Sequence, residues 1–292
     1  MKKALSISLL FGLFLCSAHS PAADVSTHAV GSMKILRIVD GENGVPVDKL
    51  NGDQNVIRKF VPSGFCPNLI TSYVLQSPDG VVLIDSGFGD FEPSRMLQNF
   101  RQAGLQPDEV KTVVLPHLHA DHIGGLMTGS RKVFRNASLH VNEVELAFWL
   151  DRNNSPKVPE SMRFCFDAVE KLARLYGDQL KTFRDGEKVV PWLTPINVAG
   201  HTPGHTMFEL NYDGQKRFIW ADVIHCMDVQ VRHPEISAVF DTDEKEAVRA
   251  RIKALNLVAD TDVPVFGGHF TDPGVGKFYK LPEGGYRFMP LE

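Results

Sequence analysis

The sequence predicts an α/β (α+β) fold in which two mixed sheets pack face to face with helices on the outside. Three observations lead there. Short apolar runs come in hairpins closed by tight turns, at Pro78-Asp79-Gly80 and Asp213-Gly214. Amphipathic helical stretches stand before and after these hairpins, without the strict strand-helix alternation of a doubly wound sheet. Polar residues with metal-binding or acid-base chemistry gather where apolar runs end, which is where the loops of a layered fold assemble sites.

The first residues stand apart from that fold. Lys2 and Lys3 precede a nearly unbroken apolar run from Leu5 to Cys16, and small residues follow from Ser17 to Ala23, the order of a secretory signal. The run is too short to span a bilayer, and Leu15 stands where a lipoprotein signal, by resemblance, wants a small residue. Cleavage is expected after Ala22, with Ala18 as second choice. Residues 23–292 would then form one exported domain, periplasmic or secreted, with no stable membrane anchor. About 270 residues suffice for one large domain, and no linker or repeat divides them. The formal charge is −4, and removing Lys2 and Lys3 leaves −6, with no electrostatic footprint for nucleic acid. Homodimerisation is compatible with the sequence. Cys66, Cys165 and Cys226 remain after processing, an odd number without a Cys-x-x-Cys pair, and are expected mostly as buried thiols.

Along the mature chain, residues 33–39 alternate as a first strand. Residues 40–67, rich in Asp, Gly, Asn and Pro, read as a long loop, more often functional than idle. Leu69 to Gln76 and Val81 to Ile84 form a hairpin that ends in Asp85-Ser86-Gly87. Residues 93–104 place Met96, Leu97, Phe100 and Ala103 on one helical side, stopped by Gly104. Ser138 to Val141 is a short strand, and Asn142 opens a helix from Glu143 to Leu150. Residues 160–176 are helical, with Phe164, Phe166, Val169, Leu172 and Leu175. Strands follow at Pro195 to Val198, Thr206 to Tyr212 and Lys216 to Ala221. Asp243, with Glu246 three positions on, opens a helix running to about Ala259. Val263 to Phe266 is a last strand, ending in Gly267-Gly268-His269.

The chemistry centres on His117-Leu118-His119-Ala120-Asp121-His122, which follows the apolar Val113-Val114-Leu115-Pro116 and precedes Gly124-Gly125. Imidazole nitrogen and carboxylate oxygen suit zinc and neighbouring divalent ions. His117 and His119, two apart, leave a strand or tight turn on the same side and suit one ion. Asp121 and His122 are consecutive and point differently, which suggests a second ion beside the first. Further donors stand at strand ends: His201 and His205 around a Pro-Gly turn, Asp222 after Phe218-Ile219-Trp220-Ala221, and His269.

The ordered series His117-x-His119-x-Asp121-His122, His205, Asp222 and His269, with Asp85-Ser86-Gly87 upstream, resembles the metallo-β-lactamase-fold hydrolase superfamily from about residue 33 to 290. The resemblance implies a four-layer αββα sandwich with two divalent ions at one edge. Zinc is the expected ion, with manganese, iron and cobalt as alternatives. It assigns His117, His119 and His205 to the first ion, Asp121, His122 and His269 to the second, and Asp222 as the bridge. His201 would stabilise its turn, and Asp85 would accept a hydrogen bond behind a ligand. Zinc β-lactamases proper usually lack a counterpart of His122 or of Asp222, and this chain has both. It is more similar to the secreted methyl parathion hydrolase-like group in Ala221-Asp222-Val223-Ile224, in the run from Asp241 to Arg251, and in Pro273-Gly274-Val275-Gly276 with Gly285-Tyr286-Arg287-Phe288. Trp149 matches an aromatic pocket residue of that group. N-acyl homoserine lactonases share the ligand set but are usually shorter and lack the signal.

Two ions sharing Asp222 would share a water whose pKa falls from about 16 towards 7, giving a bridging hydroxide at neutral pH. Asp121, Asp222 and His225 are the expected catalytic residues. His225 stands where lactonases often have tyrosine and the methyl parathion hydrolase group an apolar residue. Trp149, Phe88, Phe91, Phe164 and Phe166 are candidates for an apolar pocket. The expected activity is hydrolysis of lactones or aryl and alkyl esters, with phosphotriesters secondary. The alternatives are a primary phosphotriesterase and, behind it, a β-lactamase or an iron persulfide dioxygenase.

Overall fold

Alternation decides which way each strand faces. Ile35, Tyr73, Leu75, Ile84 and Val114 project into one apolar layer, while their neighbours Leu36, Val74, Leu83, Val113 and Leu115 project into another. A sheet that is apolar on both faces must be covered on both. The computed structural model describes residues 24–291 and shows how. The signal segment expected at 1–22 lies outside the described residues, and among those residues no helix is long and apolar enough to cross a membrane.

Seven strands make the first sheet in chain order: β1 (Val25–Val30), β2 (Met33–Glu42), β3 (Leu69–Ser77), β4 (Gly80–Ile84), β5 (Val110–Leu115), β6 (Ser138–Asn142) and β7 (Leu180–Phe183). Pairing is antiparallel from β1 to β4 and parallel from β4 to β7. Six strands make the second: β8 (Leu193–Asn197), β9 (Thr206–Tyr212), β10 (Gln215–Ile219), β11 (Val265–Phe266), β12 (Val275–Lys280) and β13 (Tyr286–Pro290). Only the β10–β11 pair in it is parallel. The two sheets share a core in which Ile35, Tyr73 and Ile84 meet Phe208, Ile219 and Phe266.

Parallel neighbours need crossovers, and those crossovers hold the principal helices. Between β4 and β5 runs α2 (Met96–Gln102). Between β6 and β7 run α4 (Glu143–Leu150) and α5 (Phe164–Tyr176), the latter burying Phe166, Val169 and Leu172 on the outer face of the first sheet. Between β10 and β11 run the short α6 (Met227–Gln230) and α7 (Glu244–Val258), the latter burying Ala254, Leu255 and Val258 against Phe218 and Trp220. Asn142 and Asp243 cap α4 and α7 by accepting from the amides of Val144 and Glu246. The expected αββα sandwich is therefore the observed one. Strands β1, β7, β12 and β13 were not anticipated.

The segment 40–67 is less structureless than expected. It carries α1 (Gln54–Phe60), capped by Asp53, and a short antiparallel pairing of Val45–Pro46 with Phe65–Cys66. Here the cysteine expectation fails for two residues. Cys66 and Cys226 are disulfide-bonded, with Cα atoms 5.5 Å apart and 160 residues between them in sequence. Cys165 is a buried thiol whose pKa burial pushes up to about 12.

Asp40, at the end of β2, is buried and accepts from the amides of Phe88, Arg95 and Met96 and from the Ser94 hydroxyl. It ties the loop bearing Phe88 to the start of α2. Asp40→Ala leaves those donors unpartnered and is expected to destabilise the fold by about 2 kcal/mol. Urea unfolding measures this, and an unchanged midpoint refutes it.

Candidate metal centre

Strand ends supply the donors. The His117–His122 segment leaves β5, and its short helix α3 (Ala120–Ile123) carries Asp121 and His122 into a separate group of donors, with the His122 ring 4.0 Å from that of His117. His201 lies on the turn before β9, Asp222 follows β10, and His269 follows β11. Two of these exits use backbone that most side chains avoid. Asp85 has φ 65° and Ala221, just before Asp222, has φ 47°. Such strain, on the order of 1–3 kcal/mol each, persists only where the surroundings impose it.

Two groups of donors result, and a third, His201, Asp222 and His225, overlaps both. Nε2 of His117, Nδ1 of His119 and Nε2 of His201 stand 3.0–3.3 Å apart. In the second, Nε2 of His122 is 3.4 Å from Asp121 Oδ2 and 3.2 Å from Asp222 Oδ1, while Nε2 of His269 is 3.0 Å from Asp222 Oδ2. Asp222 faces both, since its Oδ2 is also 3.3 Å from His201 Nε2 and 3.7 Å from His117 Nε2.

The third member of the first group corrects the sequence reading. His201, expected only to stabilise its turn, stands with His117 and His119, and His205 does not. His205 lies behind Asp222, where its Nε2 accepts from the Asp222 amide at 3.3 Å. Burial lowers its pKa to about 3, so the ring stays neutral and can accept. Gly200 lets His201 reach the cluster: a Cβ there would stand 2.1 Å from the Ala247 amide nitrogen at the start of α7.

Second partners orient three of the rings. Nδ1 of His122 meets Asp85 Oδ1 at 2.8 Å, Nδ1 of His201 meets Asp241 Oδ1 at 2.9 Å, and Nδ1 of His269 meets the Leu69 carbonyl at 3.0 Å. An acceptor on the outer nitrogen leaves the inner one free to donate its lone pair to a cation. Glu145, on α4, does the same for loops: it accepts from the amides of Leu118 and Gly204 and from the Trp149 indole. Sequence reading missed Asp241 and Glu145. A signal existed for Glu145, a carboxylate four residues before Trp149 flanked by Val144 and Leu146 and followed only by apolar residues in its helix.

The donors fit divalent ions. Ligands about 2.0–2.1 Å from one tetrahedral ion stand about 3.3 Å from each other, close to the spacing of the first group. Nε2 of His122 and Oδ1 of Asp222 are buried and, although 3.2 Å apart, make no well-aligned hydrogen bond among the described residues. Electrostatics agree. Burial opposes charge on His122, yet Asp222, Asp85 and Asp121 outweigh it and raise its pKa well above normal. Burial is likewise outweighed at His201, which hydrogen bonds to Asp222 and Asp241 lift to about 9. At His117 and His119 burial prevails and lowers the pKa well below normal. Carboxylates that favour positive charge on His122 and His201, beside the neutral rings of His117 and His119, make a site suited to cations.

A cavity of about 220 Å³ opens onto this centre. Phe88, Met162, Phe164 and Phe240 line it, with His225 and Asn68, and among the described residues no Lys or Arg does. Of the aromatics expected there, Phe88 and Phe164 line it. Phe91 stands behind, its ring 6.0 Å from that of Phe164. Trp149 and Phe166 are fully buried under the helices and are core residues, although the Trp149 ring lies edge-on to His119 at 5.5 Å. Phe240 and Met162 carried no pattern that marked them.

His225 is buried, with Nε2 3.1 Å from Asp222 Oδ2 and Nδ1 without a hydrogen-bond partner. Its backbone is held on both sides: its amide donates to Gln230 Oε1, its carbonyl accepts from Asn68 Nδ2, and the disulfide follows at Cys226. That is more support than a solvated loop histidine receives.

The comparisons with known proteins accord with this geometry. The model of the metallo-beta-lactamase superfamily matches residues 67–269. An N-acyl homoserine lactonase of Bacillus thuringiensis is 24% identical over 184 residues, 55% of this chain and 66% of its own length. The N-acyl homoserine lactonase AttM of Agrobacterium fabrum is 28% identical over 200 residues, 64% of this chain and 68% of its own. The chain thus spans 66% of the length of the first of these relatives, slightly under two thirds. Among solved structures, the hydrolase AbOPH, in the beta lactamase superfamily, superposes with TM-score 0.85 at 27% identity, over 94% of this chain and 99% of its own. The dizinc quorum-quenching lactonase AidC, in complex with its product N-hexanoyl-L-homoserine, has TM-score 0.85 at 22% identity over 92% and 97%, a likeness of fold.

Proposed function

The chain belongs to the metallo-beta-lactamase superfamily, and from that premise we propose that it is an exported dinuclear metal-dependent hydrolase that opens lactones or cleaves aryl and alkyl esters. The observation that carries this is Asp222, one carboxylate turned towards two groups of ligand atoms. His117, His119 and His201 would hold one divalent ion, and Asp121, His122 and His269 the other, with Asp222 shared. Zinc suits the nitrogen and oxygen donors. When bound, the ions supply Lewis acidity and bring the pKa of water from about 16 towards 7.

The chain's own residues do the rest. Asp85, Asp241 and the Leu69 carbonyl fix the rings that face the ions. Phe88, Phe164 and Phe240 exclude solvent and bind the apolar part of the substrate. His225 hydrogen-bonds the substrate oxygen that becomes the leaving group. His225→Leu is expected to lower turnover roughly 10²-fold with metal content unchanged. Equal turnover removes it from the mechanism.

A pocket lined by no Lys or Arg favours neutral electrophiles. Lactones and esters meet that condition, and so do phosphotriesters as a secondary substrate. Penicillins and cephalosporins carry a carboxylate for which the described lining offers no Lys or Arg, and meet it less well. The lactonase relatives support the lactone reading, and the Cys66–Cys226 bond supports export, since such bonds persist in oxidising compartments. Metal analysis of the purified protein, followed by a panel of lactones, aryl esters, phosphotriesters and a cephalosporin, tests the proposal. Activity confined to the cephalosporin overturns it, and one iron with oxygen consumption points to persulfide oxidation instead.

A further inference from the structure

Glu145 is fully buried, and each polar contact given above for its carboxylate is an accepted hydrogen bond. Oε1 accepts from the Leu118 amide at 3.0 Å and from the Trp149 indole at 2.7 Å, and Oε2 accepts from the Gly204 amide at 2.8 Å. Leu118 is the residue between His117 and His119. Gly204 stands three residues beyond His201, on the same turn. One side chain therefore joins the two loops that together supply the first group of donors. Gly204 is where the turn and α4 touch: a Cβ there would stand 2.4 Å from the Glu145 amide nitrogen. The Thr206 amide, donating to the Pro116 carbonyl at 3.0 Å, is a second tie between the loops, but it lies at the strand ends, outside both donor segments.

We propose that Glu145 is a positioning residue that clamps the His117–His119 loop to the His201 turn and so sets the separation of the three nitrogens in the first metal group. It touches neither ion nor substrate. A carboxylate is suited to the task because it accepts at both oxygens and donates at neither, so that three converging N–H groups are satisfied at once. Glutamine keeps the shape but presents an NH2 to at least one of these donors, leaving it buried and unpaired. The clamp rests on the dinuclear reading given above.

The test uses Glu145→Gln and Trp149→Phe in the otherwise intact protein, with folding checked by circular dichroism. Metal affinity is measured with zinc against a competing chelator, and the geometry with the visible spectrum of the cobalt-loaded protein. Loss of a group that orients ligands typically weakens metal binding about 10–100-fold, and that is expected of Glu145→Gln for one of the two equivalents, with a changed cobalt spectrum. kcat at saturating metal should fall while KM stays near the parent's. Trp149→Phe removes one donor and the edge contact with His119 but leaves both loop bonds, so its loss of affinity should be well below that of Glu145→Gln. Folded Glu145→Gln with parental affinity and spectrum overturns the clamp, as does a Trp149→Phe loss as large as that of Glu145→Gln. If Glu145→Gln does not fold, amide exchange in the parent decides: the Leu118 and Gly204 amides must slow together on adding zinc, and independent behaviour overturns the clamp. A parent that binds fewer than two equivalents refutes the dinuclear reading itself, a result visible before any variant is made.

Discussion

Asp222→Ala is expected to lower turnover by a factor on the order of 10³ or more, about 4 kcal/mol in the transition state, and to reduce metal content from two ions per chain to one or none. The reason is positional. Asp222 presents carboxylate oxygens to His122 and His269 on one side and to His117 and His201 on the other. Among the described residues no other carboxylate stands between the two: Asp121 belongs to the second group, and Asp85 and Asp241 stand behind rings. Without Asp222, converging imidazoles face one another across a gap with no anion shared between them. Metal analysis and steady-state kinetics of the folded variant check this. Turnover within tenfold of the parent at full metal content would sink the bridging role.

The second large effect is on stability. Joint replacement of Cys66 and Cys226 by alanine is expected to destabilise the fold by roughly 2–5 kcal/mol, a drop in Tm on the order of 10 °C for a chain of this size. The bond closes a loop spanning 160 residues and fastens the 43–68 segment, which forms one wall of the cavity, to the segment bearing His225. Both sulfurs are buried in a small apolar cluster with Val45, Ile57, Val229 and Ile236. Bulk reductant added to folded protein should therefore act slowly. Calorimetry of parent and double variant checks the first expectation, and equal Tm values refute it.

Much of this was legible in the sequence because the relevant signals are local. Hairpin turns, apolar alternation in β2 to β5 and the caps at Asn142 and Asp243 are decided within a few residues. The edge strands β1, β7 and β13, and β12 beside the last, were not legible, because the edge strands are partly exposed and pairing with a neighbour defines all four. The metal cluster was evident from its density of donors. His201 and His205 were not separable by chemistry, being the same residue type at the two ends of one turn. Packing of Gly200 against α7 decides which of them reaches the cluster. The disulfide pairs residues far apart in sequence, and no spacing rule reaches that distance. Trp149 misled because an aromatic near a site resembles a pocket wall until its indole is seen to bond Glu145.

The ions' ligands and the cavity's walls come from different parts of the chain. Ligands sit at the ends of strands within the two sheets, whereas Asn43 to Pro46, Met162, Phe164 and Phe240 belong to connections outside them. Selection can therefore remodel what enters the cavity by exchanging residues in those connections while the proposed metal centre stays intact. New specificities should arise in this chain through changes at its rim, with the strand-end donors inherited unaltered.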